Sequence, residues 1–101
     1  MQKSEDLRSQ GNKAYMGKKF EEALTLYQEA LQFNPDDLSV LTNMAAVYLE
    51  QKKPKKALEL CDEAIRVYEE KGLTGEFKKI ARAYARKGAA YKQLEEFDAA
   101  I

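Results

Sequence analysis

Histidine and tryptophan are absent from these 101 residues, cysteine occurs once and proline twice. Without histidine the chain lacks the commonest general base and the commonest zinc ligand. The lone thiol, Cys61, can form neither an internal disulfide nor a thiolate metal site, so no metal and no cofactor are expected. Glycine-rich phosphate loops are missing too. No apolar run approaches the roughly 18 residues that a membrane span needs, and no signal-peptide pattern is found, which makes the cytoplasm the expected compartment. Net charge is also missing, because 17 basic side chains cancel 17 acidic ones. No overall field therefore draws the chain to nucleic acid or to an anionic membrane. Carboxylates are plentiful at Glu21-Glu22, Glu69-Glu70 and Glu95-Glu96. They fall in runs that suit solvated helix faces, and no catalytic residue is assigned. The expectation is a single domain, not an enzyme, of a size suited to binding.

What is present is self-similarity. Gly11-Asn12-Lys13-Ala14-Tyr15 and Phe20-Glu21-Glu22-Ala23-Leu24 are echoed by Ala45-Ala46-Val47-Tyr48 with Ala57-Leu58, and by Gly88-Ala89-Ala90-Tyr91 with Phe97-Asp98-Ala99-Ala100-Ile101. A period of about 34 residues marks stacked helical hairpins. Apolar residues at three- and four-residue spacing through Leu7, Ala14 and Tyr15, and again through Phe20, Ala23, Leu24, Tyr27, Ala30 and Leu31, predict two helices split at Gly17. Asn34-Pro35 ends the second, and Asp36 or Asp37 can cap a third that runs to about Gln51. Pro54 suits the first turn of a fourth, which Gly72 ends. Thr74 is the expected cap of a fifth reaching about Leu94, and a sixth is expected from Phe97. Counted in repeats, the chain reads 4–37, 38–71, a helical insertion 72–80 that elongates the fifth helix, and a truncated repeat 81–101. The apolar side near Tyr91 and Leu94 is expected to lie uncovered.

The pattern of glycine or alanine at slot 8, tyrosine at slot 11 or 12, alanine at 20, an aromatic at 24, alanine at 27 and proline at 32 resembles the tetratricopeptide repeat. The first repeat supplies Gly11, Tyr15, Ala23, Tyr27, Ala30 and Pro35, the second Ala45, Tyr48, Ala57, Cys61 and Ala64, and the third Gly88, Tyr91 and Ala100. Small residues let paired helices approach while the aromatics fill the gaps. The resemblance implies an all-α superhelix of antiparallel helix pairs, about two and a half repeats of it. Slot 4 never holds tryptophan, and the second repeat lacks the proline. Cys61 fills an aromatic slot, which makes it a buried structural thiol.

Slots 2, 5, 6 and 9 of each first helix lie roughly opposite its core side, since a helix turns about 100° per residue. They hold Glu5, Arg8, Ser9 and Asn12; Ser39, Thr42, Asn43 and Ala46; and Arg82, Ala85, Arg86 and Ala89. In a stacked array these faces line one concave wall, on which three arginines outnumber one glutamate. Such a wall favours an anionic ligand. Asparagine is a mediocre helix former, so Asn12 and Asn43 read as placed for their amides.

This set is similar, residue by residue, to the carboxylate clamp of co-chaperone tetratricopeptide domains, carried here by Arg8, Asn12, Asn43, Arg82 and Arg86. The resemblance implies a peptide partner: the C-terminal Glu-Glu-Val-Asp tail of a cytosolic heat-shock chaperone, of the 90-kDa class before the 70-kDa class. Over almost the whole chain the likeness is to the middle tetratricopeptide domain of the heat-shock organising (stress-inducible phosphoprotein) co-chaperones, carried by Thr42-Asn43-Met44-Ala45-Ala46-Val47-Tyr48 and Ile80-Ala81-Arg82-Ala83-Tyr84-Ala85-Arg86. It implies that Tyr15 and Glu50, with Ala46 as part of the groove floor, receive a tail side chain. Tyr15 equally fits ordinary packing. Two other readings stay open: the chaperone-targeting domain of a phosphatase or peptidyl-prolyl isomerase, and a scaffold that docks a partner helix.

Overall fold

The computed structural model describes residues 2–72 and 76–99. Among them are α1 (Gln2–Met16), α2 (Phe20–Phe33), α3 (Leu38–Glu50), α4 (Pro54–Lys71) and α5 (Phe77–Ala99). The two hairpins are α1 with α2 and α3 with α4, and α5 packs on both α3 and α4.

The helix boundaries follow local chemistry. Asp37 caps α3, its Oδ1 accepting the Ser39 and Val40 amides at 3.0 and 3.3 Å. Pro54 opens α4, where a missing amide hydrogen costs nothing. Gly72 closes α4 in the left-handed conformation, φ 61°. Gly17 lies in the turn that splits α1 from α2, as the spacing predicts, and the left-handed residue of that turn is Lys18, also at φ 61°. Lys19 N–H reaches Ala14 O at 2.8 Å and Lys18 N–H reaches Tyr15 O at 2.9 Å. This paired closure satisfies two orphan carbonyls and holds a lysine where glycine is the usual choice. The second hairpin repeats it: Lys52 has φ 61°, with Lys53 N–H on Tyr48 O at 2.8 Å and Lys52 N–H on Leu49 O at 3.1 Å.

The core runs along the stack in three patches. Leu7, Ala14, Leu24, Tyr27, Ala30, Val40, Met44 and Val47 knit α1, α2 and α3 together. Ala45, Ala57, Cys61 and Ala90 join α3, α4 and α5 at one end, while Leu38, Leu41, Ala64, Val67 and Ala83 join them at the other. Alanine at the crossing points is what permits close helix approach. Burial raises the Cys61 thiol from its usual 9.0 to about 11, with Arg86 and Lys87 pulling weakly the other way and Asp62 adding to the rise. It is the buried structural cysteine that the sequence implied.

Three expectations need correction. A sixth helix from Phe97 is not formed, because the backbone of α5 continues through Ala99. Between Gly88 and Ala99 there is no glycine or proline to stop it, and leucine, lysine, glutamine and glutamate all favour helix. The inserted stretch does elongate α5, but only from Phe77 and not from residue 72, since Gly72 is the cap of α4; the Thr74 cap lies outside the described residues. Thr42 and Ala46, assigned to an open wall, are buried, at 0% and 7% exposure. Sitting between α1 and α2 on one side and α4 and α5 on the other, α3 has little free surface left, and Thr42 settles its hydroxyl on Ser39 O at 3.2 Å. Among the described residues no helix is long and apolar enough to cross a membrane.

Candidate functional site

Two of the five clamp residues meet directly. Asn43 Nδ2 of α3 donates to Asn12 Oδ1 of α1 at 2.9 Å, and the Tyr27 hydroxyl of α2 donates to the same oxygen at 2.5 Å. An amide oxygen has two lone pairs, and both are now used. Burial pushes the Tyr27 phenol from 10.0 up to about 12, against a smaller downward pull from the neighbouring Asn43 and a small push from Tyr15. The phenol therefore stays a proton donor across the physiological range.

Arg8 is half-buried and engaged: its Nη1 lies 2.8 Å from Asp37 Oδ2. Asp37 thus divides its carboxylate, one oxygen capping α3 and the other holding Arg8. Its side chain is only 5% exposed, and a charge so deeply placed needs this full set of partners. Arg8 borders a charged hollow of about 360 Å³, lined also by Asp36, Lys71, Glu76 and Lys79. The structure does not join Arg8 to Asn12 or Asn43 by a hydrogen bond among the described residues. Four of the guanidinium's five N–H donors remain for other acceptors.

On α5, Arg82 is exposed and Arg86, one turn on, is half-buried. Neither forms an ion pair among the described residues, and Arg86 Nε is buried without a hydrogen-bond partner. Ala85 and Ala89 on this helix are exposed, in keeping with a flat floor. Ala83 and Ala90 are buried against α3 and α4 and fix the rotation of α5.

Tyr15 and Glu50, 35 residues apart, line one hollow of about 190 Å³ together with Met16, Lys18 and Phe20. They stand in the last turns of α1 and α3, and the Tyr15 and Phe20 rings pack with centroids 6.1 Å apart. Ala46, one turn before Glu50, is buried and is not among the residues that line this hollow. Sequence reasoning overlooked Asp37 and Tyr27 as partners of site residues. Tyr27 carried a signal in its hydroxyl, since phenylalanine would fill the same slot; Asp37, 29 residues from Arg8, carried only its capping signature. No group of three or more potential metal ligands is found among the described residues.

Residues 14–71 and 81–101 each match the family described as tetratricopeptide repeat. The "Hsp70-Hsp90 organizing protein" of Triticum aestivum is 42% identical over 95 residues, which is 90% of this chain but 16% of that relative's length. Among solved structures, the "N-terminal domain of stress-induced protein-1 (STI-1) from C. elegans" superposes with a TM-score of 0.83 at 32% identity, over 94% of this chain and 73% of that one. The "First TPR of Spaghetti (RPAP3) bound to HSP90 peptide SRMEEVD" does so with a TM-score of 0.78 at 29% identity, over 96% of this chain and 70% of that one. With its helix pairs, its small residues at the crossings and a family match over more than half its length, this chain belongs to the tetratricopeptide repeat family.

Proposed function

We propose that this chain is an adaptor module without catalytic activity, which holds the C-terminal Glu-Glu-Val-Asp tail of a cytosolic heat-shock chaperone. The observation that carries the reading is the Asn12–Asn43 pair, bonded across α1 and α3 with amide N–H groups to spare. Arg82 and Arg86 on the adjoining α5 supply positive charge that no carboxylate among the described residues neutralises. A tail that ends in an α-carboxylate beside an aspartate side chain matches that set, because guanidinium and amide donors both suit carboxylate oxygens. Arg8, steadied by Asp37, provides the remaining basic group.

The comparisons support the same direction. The wheat relative is by name an organiser of Hsp70 and Hsp90, and one structural neighbour is bound to an HSP90 peptide whose Glu-Glu-Val-Asp follows a methionine. The hollow between Tyr15 and Glu50 suits that methionine, an unbranched apolar side chain. On this ground we assign the module to the middle-domain type and prefer the 90-kDa chaperone over the 70-kDa one. A cytoplasmic setting follows from such a partner. Binding is expected in the micromolar range, about −8 kcal/mol, after the ordering of a flexible tail is subtracted from a few charge-assisted bonds.

The test is calorimetric titration of the peptide Ser-Arg-Met-Glu-Glu-Val-Asp into the protein and into its Asn43→Ala and Arg82→Ala variants. Loss of measurable binding in both, with helical circular dichroism unchanged, is the expected result. Wild-type affinity in either variant refutes the clamp.

A further inference from the structure

Tyr27 occupies a position whose ring is explained by packing, yet its hydroxyl is not. The ring lies against Gly11 so closely that a Cβ there would sit 2.6 Å from Cε1 and 2.7 Å from Cδ1. That absence of a side chain at residue 11 brings the phenol within 2.5 Å of Asn12 Oδ1, on the very next residue of α1. Tyr27 is fully buried, so its hydroxyl proton must find an acceptor, and Asn12 Oδ1 is the one it has. An asparagine amide can be turned either way about its last bond. With the phenol and Asn43 Nδ2 both donating to the oxygen, only one orientation satisfies the trio, and it leaves both Asn12 Nδ2 hydrogens without an acceptor among the described residues.

We infer that Tyr27 is a positioning residue for tail recognition: its buried hydroxyl locks the Asn12 amide with the NH2 group presented to the incoming carboxylate. The inference rests on the clamp reading above and adds to it a residue that never touches the ligand. Its chemical logic is preorganisation. A free Asn12 amide would offer its oxygen to an anion as readily as its nitrogen, and the wrong orientation repels. A phenylalanine at this slot would fill the Gly11 notch equally well but would leave the orientation to Asn43 alone.

The experiment is a double-mutant cycle with the peptide Ser-Arg-Met-Glu-Glu-Val-Asp, as free acid and as C-terminal amide, on wild type, Tyr27→Phe, Asn12→Ala and the double variant. Tyr27→Phe is expected to weaken the acid peptide about tenfold, the scale of one charge-assisted hydrogen bond, while leaving the amide peptide's weaker affinity as it was. In the Asn12→Ala background the same change should cost nothing further. Unaltered affinity in Tyr27→Phe, or an equal loss with and without Asn12, overturns the inference and leaves the hydroxyl a purely structural group. Should Tyr27→Phe fail to fold, side-chain amide NMR on the wild type decides. The Asn12 Nδ2 proton pair should shift with the acid peptide and not with the amide, and an unmoved pair overturns the inference. A wild type that ignores the acid peptide removes the clamp reading itself, whereas a wild type that binds beside an indifferent Tyr27→Phe removes only the role of the phenol.

Discussion

Gly11 and Gly88 hold the same slot of the first and third repeats, and their surroundings could hardly differ more. At Gly11 the Tyr27 ring lies where a Cβ would be, whereas at Gly88 nothing comes within 4 Å of that position. The first site belongs to a closed helix pair, with Leu7, Ala14, Ala23 and Leu24 buried around it. The second lies on the outer face of α5, where Tyr84 and Tyr91 are 54% and 51% exposed and Phe77, seven residues before Tyr84, is 66% exposed. The same slot thus makes different contacts in the two repeats, according to whether a second helix packs on it among the described residues. The difference also isolates what the glycine is for. It is not conformational freedom, because only Gly72 among the described glycines has a positive φ. It is the room that a missing side chain makes for an aromatic ring.

The contrast is broken most forcefully by alanine at each site. Gly11→Ala is expected to destabilise by about 1–3 kcal/mol, since the added methyl group meets a buried ring that has no space to retreat. Gly88→Ala should instead stabilise by roughly 1 kcal/mol, the helix-propensity gain at an open position. Urea unfolding of the two variants gives both numbers, and equal effects would mean that the two repeats are packed alike.

Alkaline titration sharpens the comparison next, because the buried groups that it reaches lie in the covered part of the molecule. The Cys61 thiol is raised from 9.0 to about 11 and the Tyr27 phenol from 10.0 to about 12. For both, the neutral form is favoured in the fold, so the stability they contribute is intact below pH 9 and is lost as pH rises past the unfolded values. Cys61 alone should account for a loss on the order of 2 kcal/mol by pH 11, the size set by a shift of that extent. A Cys61→Ala variant should show a shallower decline in thermal midpoint between pH 9 and 11. A wild-type midpoint that is flat across this window contradicts the burial argument.

The smallest effect is expected at the paired turns. Lys18→Gly and Lys52→Gly place glycine where φ is 61° and should each raise stability by up to about 1 kcal/mol. Denaturant midpoints that fall would show that the lysine side chains contribute something beyond the turn.

Most of the fold was legible because its signals are local. Pro54, Asp37 and Gly72 each mark a helix end through groups within four residues, and each does so in the structure. The alanine slots identified the crossings for the same reason. What escaped depends on distant neighbours. The pairing of Arg8 with Asp37 spans 29 residues, and nothing at either position announces it. Thr42 and Ala46 were read as surface because helical phase gives the side of a helix, not whether a third or fourth helix will cover that side. The continuation of α5 past Leu94 was missed because the expected turn before Phe97 came from repeat counting and not from a residue that stops a helix. Within the site, Asn12 and Asn43 share a hydrogen bond and Tyr15 and Glu50 line one hollow, while the tail-binding role of all four is the reading that the peptide titration tests.

Recognition of a chain end, and not of negative charge in general, is the claim at the centre of this account. Calorimetry with Ser-Arg-Met-Glu-Glu-Val-Asp as free acid and as C-terminal amide compares two ligands that differ only at the α-carboxylate. The account predicts micromolar binding of the acid and loss of most of that affinity for the amide; equal affinity for the two would contradict it.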